Sequence, residues 1–354
     1  VTYSKCLLSP SGKPREMYVL KSTLRYSMQE KLNTLRDSQE FENLERICME
    51  GGRRILVVGG GFLGSSLSSA LLQLNNSLEH KNTIMQTFVE SVSLQNYLPG
   101  YLTAHMADKL EDKGLVMYPD CLVTSLSRQE ADGDPSHAGA LQVKLMQSGE
   151  HELVDVDYVV LASTNVQPDV RVAVRAGLEI DSKNGGVLVN SSLEAYDGLF
   201  VAGNSASYYD QALGRKRVDF YDNAVNSGLC AGQNMACDDG RLMRYMHQPM
   251  FRCALPGTGV LLEGIGIIDS NLATVGVWLS KRDEVSRKPL SETSFERGVI
   301  YYLRNNIVVG ILCYNASECL EVARDIMSER LSFEEASKRI MLAPEPWTRI
   351  YRTK

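Results

Sequence analysis

The sequence predicts an α/β chain that closes with an α+β domain, and three features predict it. Apolar runs of strand length alternate with helix-period stretches over residues 54–162, as in a parallel sheet with crossover helices. A glycine-rich turn, Gly59-Gly60-Gly61-Phe62-Leu63-Gly64, follows the first of these runs directly. From His247 onward the pattern becomes one of successive strands, with two helices behind them.

Residues 3–8 read as a strand, and Ser9-Pro10-Ser11-Gly12 as a turn. Thr34 to Met49 carries an amphipathic helix with Phe41, Leu44, Ile47 and Cys48 on one face, and Gly51-Gly52 ends it. Ile55 to Val58 is a buried parallel strand that runs into Gly59, Gly61 and Gly64. A helical pattern of Leu67, Ala70, Leu71 and Leu74 follows. This strand, turn and helix start have the plan of a dinucleotide-binding unit. Gly59 permits the tight turn, Gly61 lets the backbone approach a pyrophosphate, and Gly64 lets the helix pack closely on the sheet. The first amides of the helix would then face the phosphates. The next strand, Thr83 to Val89, ends at Glu90, and an acid at that tip is placed to bind a ribose diol.

Leu98 to Lys113 reads as a helix striped by Leu102, Met106 and Leu110, and Leu115 to Tyr118 as a third parallel strand. Leu122–Leu126 and Leu141–Met146 are joined through a polar turn at 132–139. A hairpin strand near Glu152 and the return run Tyr158–Ala162 complete a βαβαβ unit with an antiparallel insertion. Pro168–Gly177 is a short helical link, Val187–Val189 a strand, and Leu199–Asn204 a buried strand ending in glycine. Ser205–Val218 reads as a loop holding Arg215, Lys216 and Arg217. Tyr221–Met235 reads as a helix with Ala224, Val225, Leu229 and Ala231 as its small and apolar positions. Strands at 251–255, 260–268, 274–279, 298–304 and 307–314 form a meander, with a two-residue turn at Asn305-Asn306. A polar loop lies between Lys281 and Glu296. Helices at 319–327 and 332–341 finish the chain, the second opened by a Ser332/Glu335 capping box.

At 354 residues the chain should hold two or three domains. A net charge of −6 argues against a strongly basic nucleic-acid binder, though local patches remain possible in principle. No apolar run is long enough to span a membrane, and residues 1–20 lack the plan of a signal peptide. The chain opens at Val1 in what reads as the middle of a strand, as a fragment would. The eight cysteines lack C-x-x-C or zinc spacing and read as core thiols of a reducing compartment. The five histidines fall in separate segments, so no metal site is expected.

Several stretches carry a resemblance that covers most of the chain from Gly51 to Ile311. They are VVGGGFLGSSLSSAL (57–71), GLEIDSKNGGVLVN (177–190), the run from Leu199 to Met235, MHQPMF (246–251), GIGIIDSNLATVGV (264–277) and GVIYYLRNNIVVGI (298–311). The chain resembles the apoptosis-inducing factor family of mitochondrial flavoproteins, relatives of the glutathione-reductase-like oxidoreductases. The resemblance implies glutathione-reductase-like nucleotide-binding domains, with the FAD domain incomplete at the N-terminus, plus a C-terminal α+β domain. The implied parts are a remnant of the FAD-binding domain over 1–15, an NADH-binding domain over 16–168, the second part of the FAD-binding domain over 169–247, and the α+β domain over 248–354. The family's first FAD unit would lie upstream of Val1, and its absence would leave a sheet edge exposed.

The implied cofactors are FAD and NAD(H). Gly59, Gly61 and Gly64 match the nicotinamide-nucleotide glycines, Phe62 and Leu63 would cover the nicotinamide side, and Glu90 matches the family acid that prefers NAD. Gly203 and Asn204 match the strand end that binds FAD, with asparagine where the family has aspartate. The family's Glu-His pair beside the flavin is Phe220-Tyr221 here, which would flank hydride transfer as the catalytic positions. Ser66 stands for a family glutamate, Asn96 for a lysine, and Arg252 for a stacking tryptophan. The resemblance further implies NADH oxidation through FAD, a pro-apoptotic and respiratory-chain-biogenesis role, mitochondrial import or nuclear degradation partners, a homodimer, and residence in the intermembrane space with relocation to the nucleus. The alternative is a cofactor-weakened interaction protein acting through partners and through non-specific, salt-dependent DNA binding at Arg215, Lys216, Arg217, Lys281 and Arg282.

Overall fold

The computed structural model describes residues 3–14, 31–35, 37–128, 140–162, 166–211, 213–238, 240–279, 295–340, 342 and 348–353. These divide into two compact units. One holds residues 14–165 with 253–261, and the other holds 1–13, 166–252 and 262–354.

The first unit is built on a five-stranded parallel sheet in the order 32–33, 158–161, 54–58, 83–87, 116–118. Its middle strand, Arg54–Val58, is apolar on both faces because both faces are covered. Ile55 and Val57 pack with Leu67 and Leu71 of one helix (Phe62–Leu74) and with Leu44 and Cys48 of another (Ser38–Glu50). Leu56 points the other way, against Leu141, Val143 and Val156 of an antiparallel three-stranded sheet (122–128, 141–147, 150–156). The Gly100–Glu111 helix buries Leu102, Met106 and Leu110 completely, the stripe that its sequence shows. The turn expected at 132–139 lies outside the described residues.

Two expectations for this unit change. The first helix begins at Ser38 rather than Thr34, because the Asp37 carboxylate accepts the Glu40 N–H and caps it there. Phe41, assigned to its buried face, is 55% exposed; Leu44 and Cys48 alone are its buried positions.

In the second unit, Cys6–Leu8 pairs in parallel with Leu199–Val201, and Glu194–Tyr196 flanks the latter. The stretch 205–218 is a hairpin rather than a loop: Ala206–Asp210 pairs with Gly214–Lys216. Of the small and apolar positions named for the Tyr221–Ala236 helix, Ala231 is buried and Ala224 is exposed. Val225 and Leu229 are exposed, while Asn223, Ser227, Cys230, Ala231 and Asn234 are buried. The C-terminal part is a six-stranded sheet in the order 250–255, 260–266, 307–314, 298–304, 273–279, 348–353. Asn305 and Asn306 make its tightest turn at φ 52° and 62°. The helices Leu320–Glu329 and Phe333–Arg339 cover Ile311 and Cys313 from one side, and the capping box at Ser332/Glu335 is present. The last strand, Thr348–Thr353, has no counterpart in the sequence reading.

Candidate nucleotide site

The glycine turn forms the floor of a cavity of about 270 Å³ whose lining includes Gly59, Gly61, Thr87, Glu90, Asn96 and Tyr97. Three hydrogen bonds hold the turn. Gly59 N donates to Thr87 O at 2.8 Å, Leu94 N donates to Gly60 O at 2.7 Å, and Gln86 Nε2 donates to Gly59 O at 2.8 Å. Gly59 sits at φ 132°, a backbone region that side chains disfavour. At Gly64 a Cβ would lie 2.0 Å from Gly59 O, so only glycine lets the helix start this close to the strand.

The other expected positions divide between cavity and core. Glu90 lines the cavity, and Asn96 Nδ2 donates to its Oε1 at 2.7 Å. The Phe62 ring lies against Tyr97, with centroids 4.4 Å apart. Neither Phe62 nor Leu63 is part of the lining, and Leu63 packs against the apolar cluster under the sheet. Ser66 donates to Ala254 O at 2.7 Å, and Ser69 donates to Pro256 O at 2.6 Å. The helix that opens at the glycine turn is thereby fastened to the 253–261 hairpin tip of the same unit.

A dinucleotide fits what these residues offer. The turn admits no side chain at Gly64, an α-helix leaves its first amides without intrahelical acceptors, and a carboxylate stands at the second strand's tip. In addition, Thr87 lines the cavity, and its buried hydroxyl has no hydrogen-bond partner among the described residues. Neither Thr87 nor the Asn96–Glu90 bond was anticipated from sequence.

In the second unit Gly203 takes φ 71° at the end of its strand, and its N–H donates to Ser227 Oγ at 2.9 Å. Asn204 Nδ2 donates to Asp219 Oδ1 at 3.1 Å. A Cβ on Gly12 would come within 2.2 Å of that amide, so the turn at 9–12 and the turn at 203–204 pack directly together. These are the residues that would hold FAD; the asparagine amide donates to Asp219, and its Oδ1, which accepts from the Ser205 hydroxyl at 3.4 Å, keeps a second lone pair for a ligand hydroxyl. Phe220 precedes the Tyr221–Ala236 helix and packs on Phe251, with centroids 5.6 Å apart; Tyr221 is 86% exposed. Arg252 stands where the family's tryptophan is expected, with a largely exposed side chain. Its Nε stands 3.6 Å from Oε1 of the buried Glu263, whose Oε2 accepts the Ser317 hydroxyl.

The basic cluster requires correction. Lys216 is inside, paired with Asp210 at 2.8 Å and donating to Gln248 at 3.2 Å. Burial lowers its pKa, against the raising effect of Asp210. Arg217 donates to the carbonyls of Asn184, Asn204 and Val166, and Arg215 to those of Ser207 and Val189. Lys216 is thus paired inside the fold and Arg217 is half-buried, while Arg215 remains exposed. Lys281 and Arg282 lie outside the described residues. Six of the eight thiols are buried, and burial pushes Cys48 and Cys253 up to about 12. Among the described residues no group of three or more metal-ligating side chains gathers, and no helix is long and apolar enough to cross a membrane.

Fold and cavity together define an α/β chain with the plan of a dinucleotide-binding unit. Residues 1–228 match the pyridine nucleotide-disulphide oxidoreductase family, and residues 231–294 and 280–329 match the C-terminal family of apoptosis-inducing factor, mitochondrion-associated. The chain is 34% identical to apoptosis-inducing factor 1, mitochondrial, of Dictyostelium discoideum, covering 96% of this chain and 59% of that one. It is 30% identical to a putative apoptosis-inducing factor 1 of Drosophila melanogaster, covering 96% and 48%. The chain thus spans roughly half the length of these relatives. A water-forming NADH oxidase from Lactobacillus brevis superposes with a TM-score of 0.75 at 14% identity, covering 99% of this chain and 73% of that one. A ferredoxin reductase from Rhodopseudomonas palustris gives 0.73 at 17%, covering 95% and 73%. The chain belongs to the pyridine nucleotide-disulphide oxidoreductases and, within them, to the apoptosis-inducing factor family. The cofactors of this family are FAD and NAD(H), and its fold is the glutathione-reductase-like one expected.

Proposed function

We propose that the protein oxidises NADH through FAD in mitochondria. The observation that carries this is the cavity lined by Gly59, Gly60, Gly61 and Glu90, where the turn leaves no room for a side chain at Gly64. Bound FAD and NADH would supply the redox chemistry. The chain's own work is to seat the pyrophosphate on the glycine turn, to take the ribose diol at Glu90, and to accept a flavin-chain hydroxyl at Asn204 Oδ1. Phe220 and Tyr221 are the proposed positions beside the flavin, with exclusion of water as their part. The mitochondrial names of its relatives support the location. Residence in the intermembrane space, a respiratory-chain-biogenesis role with import partners, homodimerisation, and passage to the nucleus in cell death complete the reading by family resemblance.

A second reading, an interaction protein with weakened cofactor binding, has its own observation. Asn204 is tied to Asp219, and Arg252 to Glu263, where the family keeps flavin- and nicotinamide-facing groups. Its DNA-binding component loses support, since Arg215, Lys216 and Arg217 are engaged within the fold. An absorption spectrum of the purified protein, repeated anaerobically with NADH, separates the two. A flavin band that bleaches supports the oxidoreductase, and a colourless protein supports the alternative.

A further inference from the structure

The helix that follows Phe220 begins against the strand that carries Phe251, and one side chain joins the two within a single compact unit. Asp222, in the first turn of Tyr221–Ala236, has Oδ2 2.6 Å from His247 Nε2, and the same oxygen accepts the Met250 N–H at 3.0 Å. Arg324 of the Leu320–Glu329 helix stands 3.9 Å from that oxygen. The other oxygen, Oδ1, accepts from Asn226 Nδ2 at 3.1 Å. The strand side of this joint is also held by other contacts. Arg324 Nη1 donates to Gln248 O at 2.6 Å, and Gln248 Nε2 donates to Asp210 Oδ2 at 2.8 Å. Phe251 has its own seat, since a Cβ on Gly264 of the neighbouring strand would lie 2.2 Å from its ring.

We infer that Asp222 is a positioning residue that holds Phe220 against Phe251 at the flavin-side position, an inference that rests on the FAD reading above. Asp222 comes two residues after Phe220, and Met250 comes directly before Phe251. The bond from Met250 N to Asp222 therefore fixes the helix start against the strand start, and with it the 5.6 Å separation of the two ring centroids. A carboxylate suits the place because one of its oxygens can take a backbone amide and a ring N–H together, and its charge strengthens both bonds. An acid in the first turn is also favoured by the helix dipole. Gln248 and Gly264 keep the strand in place, so without the carboxylate it is the helix start that is released and Phe220 that moves. A displaced Phe220 would admit water at the edge it is proposed to close.

The test is fluorine NMR of the whole chain carrying 4-fluorophenylalanine at position 220, alongside FAD titration followed by flavin fluorescence. In the wild-type background the resonance should be shifted by the neighbouring Phe251 ring and should move again as FAD is added. Asp222→Ala should return it toward the value of an exposed ring and weaken FAD by about tenfold, the loss of hydrogen bonds to a charged group. Asp222→Asn keeps one acceptor oxygen for Met250 N and should stay within about threefold of wild type. Asp222→Glu keeps the charge but displaces the oxygens by a methylene, so it should move the resonance, and it carries the comparison if the alanine variant does not fold. Asn234→Ala, farther along the same helix, controls for stability alone: it should lower the urea midpoint and leave both the resonance and FAD affinity unchanged. Wild-type resonances in the alanine and glutamate variants, or an Asn234→Ala that reproduces both changes, would overturn the inference while the FAD reading stands. A wild-type chain that binds no FAD, or binds it without moving the resonance at 220, would overturn the flavin-side reading and this inference with it.

Discussion

Gly64 shows how one missing side chain can decide a site. Its closest approach to Gly59 O leaves no place for a methyl, so Gly64→Ala should push the helix start away from the strand. The expected cost is about 1–3 kcal/mol of stability together with loss of NADH affinity, read by urea denaturation and by nucleotide titration. The glycines and Glu90 were legible in the sequence because their roles are local: each follows from a turn or a strand end. Thr87 and Asn96 were not legible, because what they face depends on how the loop over 88–97 returns across the sheet. Asp181 gives a pH-dependent test in the second unit. Burial by itself would raise its pKa, but hydrogen bonds from Ser207, from the Asn184 side chain and from the Asn184 and Lys183 amides outweigh burial and hold the carboxyl below 3.8. A folded-state pKa below the unfolded one stabilises the protein above the unfolded value, and that contribution is lost as pH falls through the folded value. Asp181→Asn should therefore be less stable than wild type near neutral pH. The gap in urea midpoint should shrink below about pH 4, and a gap independent of pH would contradict the assignment.

At the scale of elements, periodicity served well where the buried face is apolar and poorly where it is polar. The Gly100–Glu111 helix has its stripe where the spacing put it. The Tyr221–Ala236 helix buries Ala231 of the apolar positions named for it, and its other buried positions include amides and a hydroxyl with specific partners. Asn223 Oδ1 accepts from Tyr245 OH at 2.9 Å. Asn234 Oδ1 accepts from Met243 N at 2.7 Å, and its amide donates to the carbonyls of Ser192 and Met243. A scale that ranks Leu above Asn must place this helix the wrong way round. Asn234→Ala should cost about 1–3 kcal/mol by stranding those groups, and Leu229→Ser should stay within about 0.5 kcal/mol. Equal costs in a denaturation series would reverse the assigned face. The basic hairpin was read as a loop for a related reason. Ala206–Asp210 is short and polar, and what recruits it into a sheet is pairing with Gly214–Lys216 and Val187–Leu188.

For the whole molecule, the α/β-then-α+β order was readable from the change of period near His247. The last strand was not, since Thr348–Thr353 pairs with Ala273–Leu279 across more than 70 residues of chain. Only its partner strand makes it a strand. Tyr221, Val225 and Leu229 are exposed on one helix, and among the described residues the Cys6–Leu8 strand is at the edge of its sheet. The glycine-turn unit differs: its sheet is covered on both faces, and its cavity is formed by its own residues. Whether this cavity takes NADH is read by amide hydrogen exchange of the whole chain with and without the nucleotide. NADH should slow exchange at the Gly59–Ser65 turn and through the loop over 88–97, with the rest of the chain little changed. Unaltered exchange at both segments, with saturating NADH present, would contradict it.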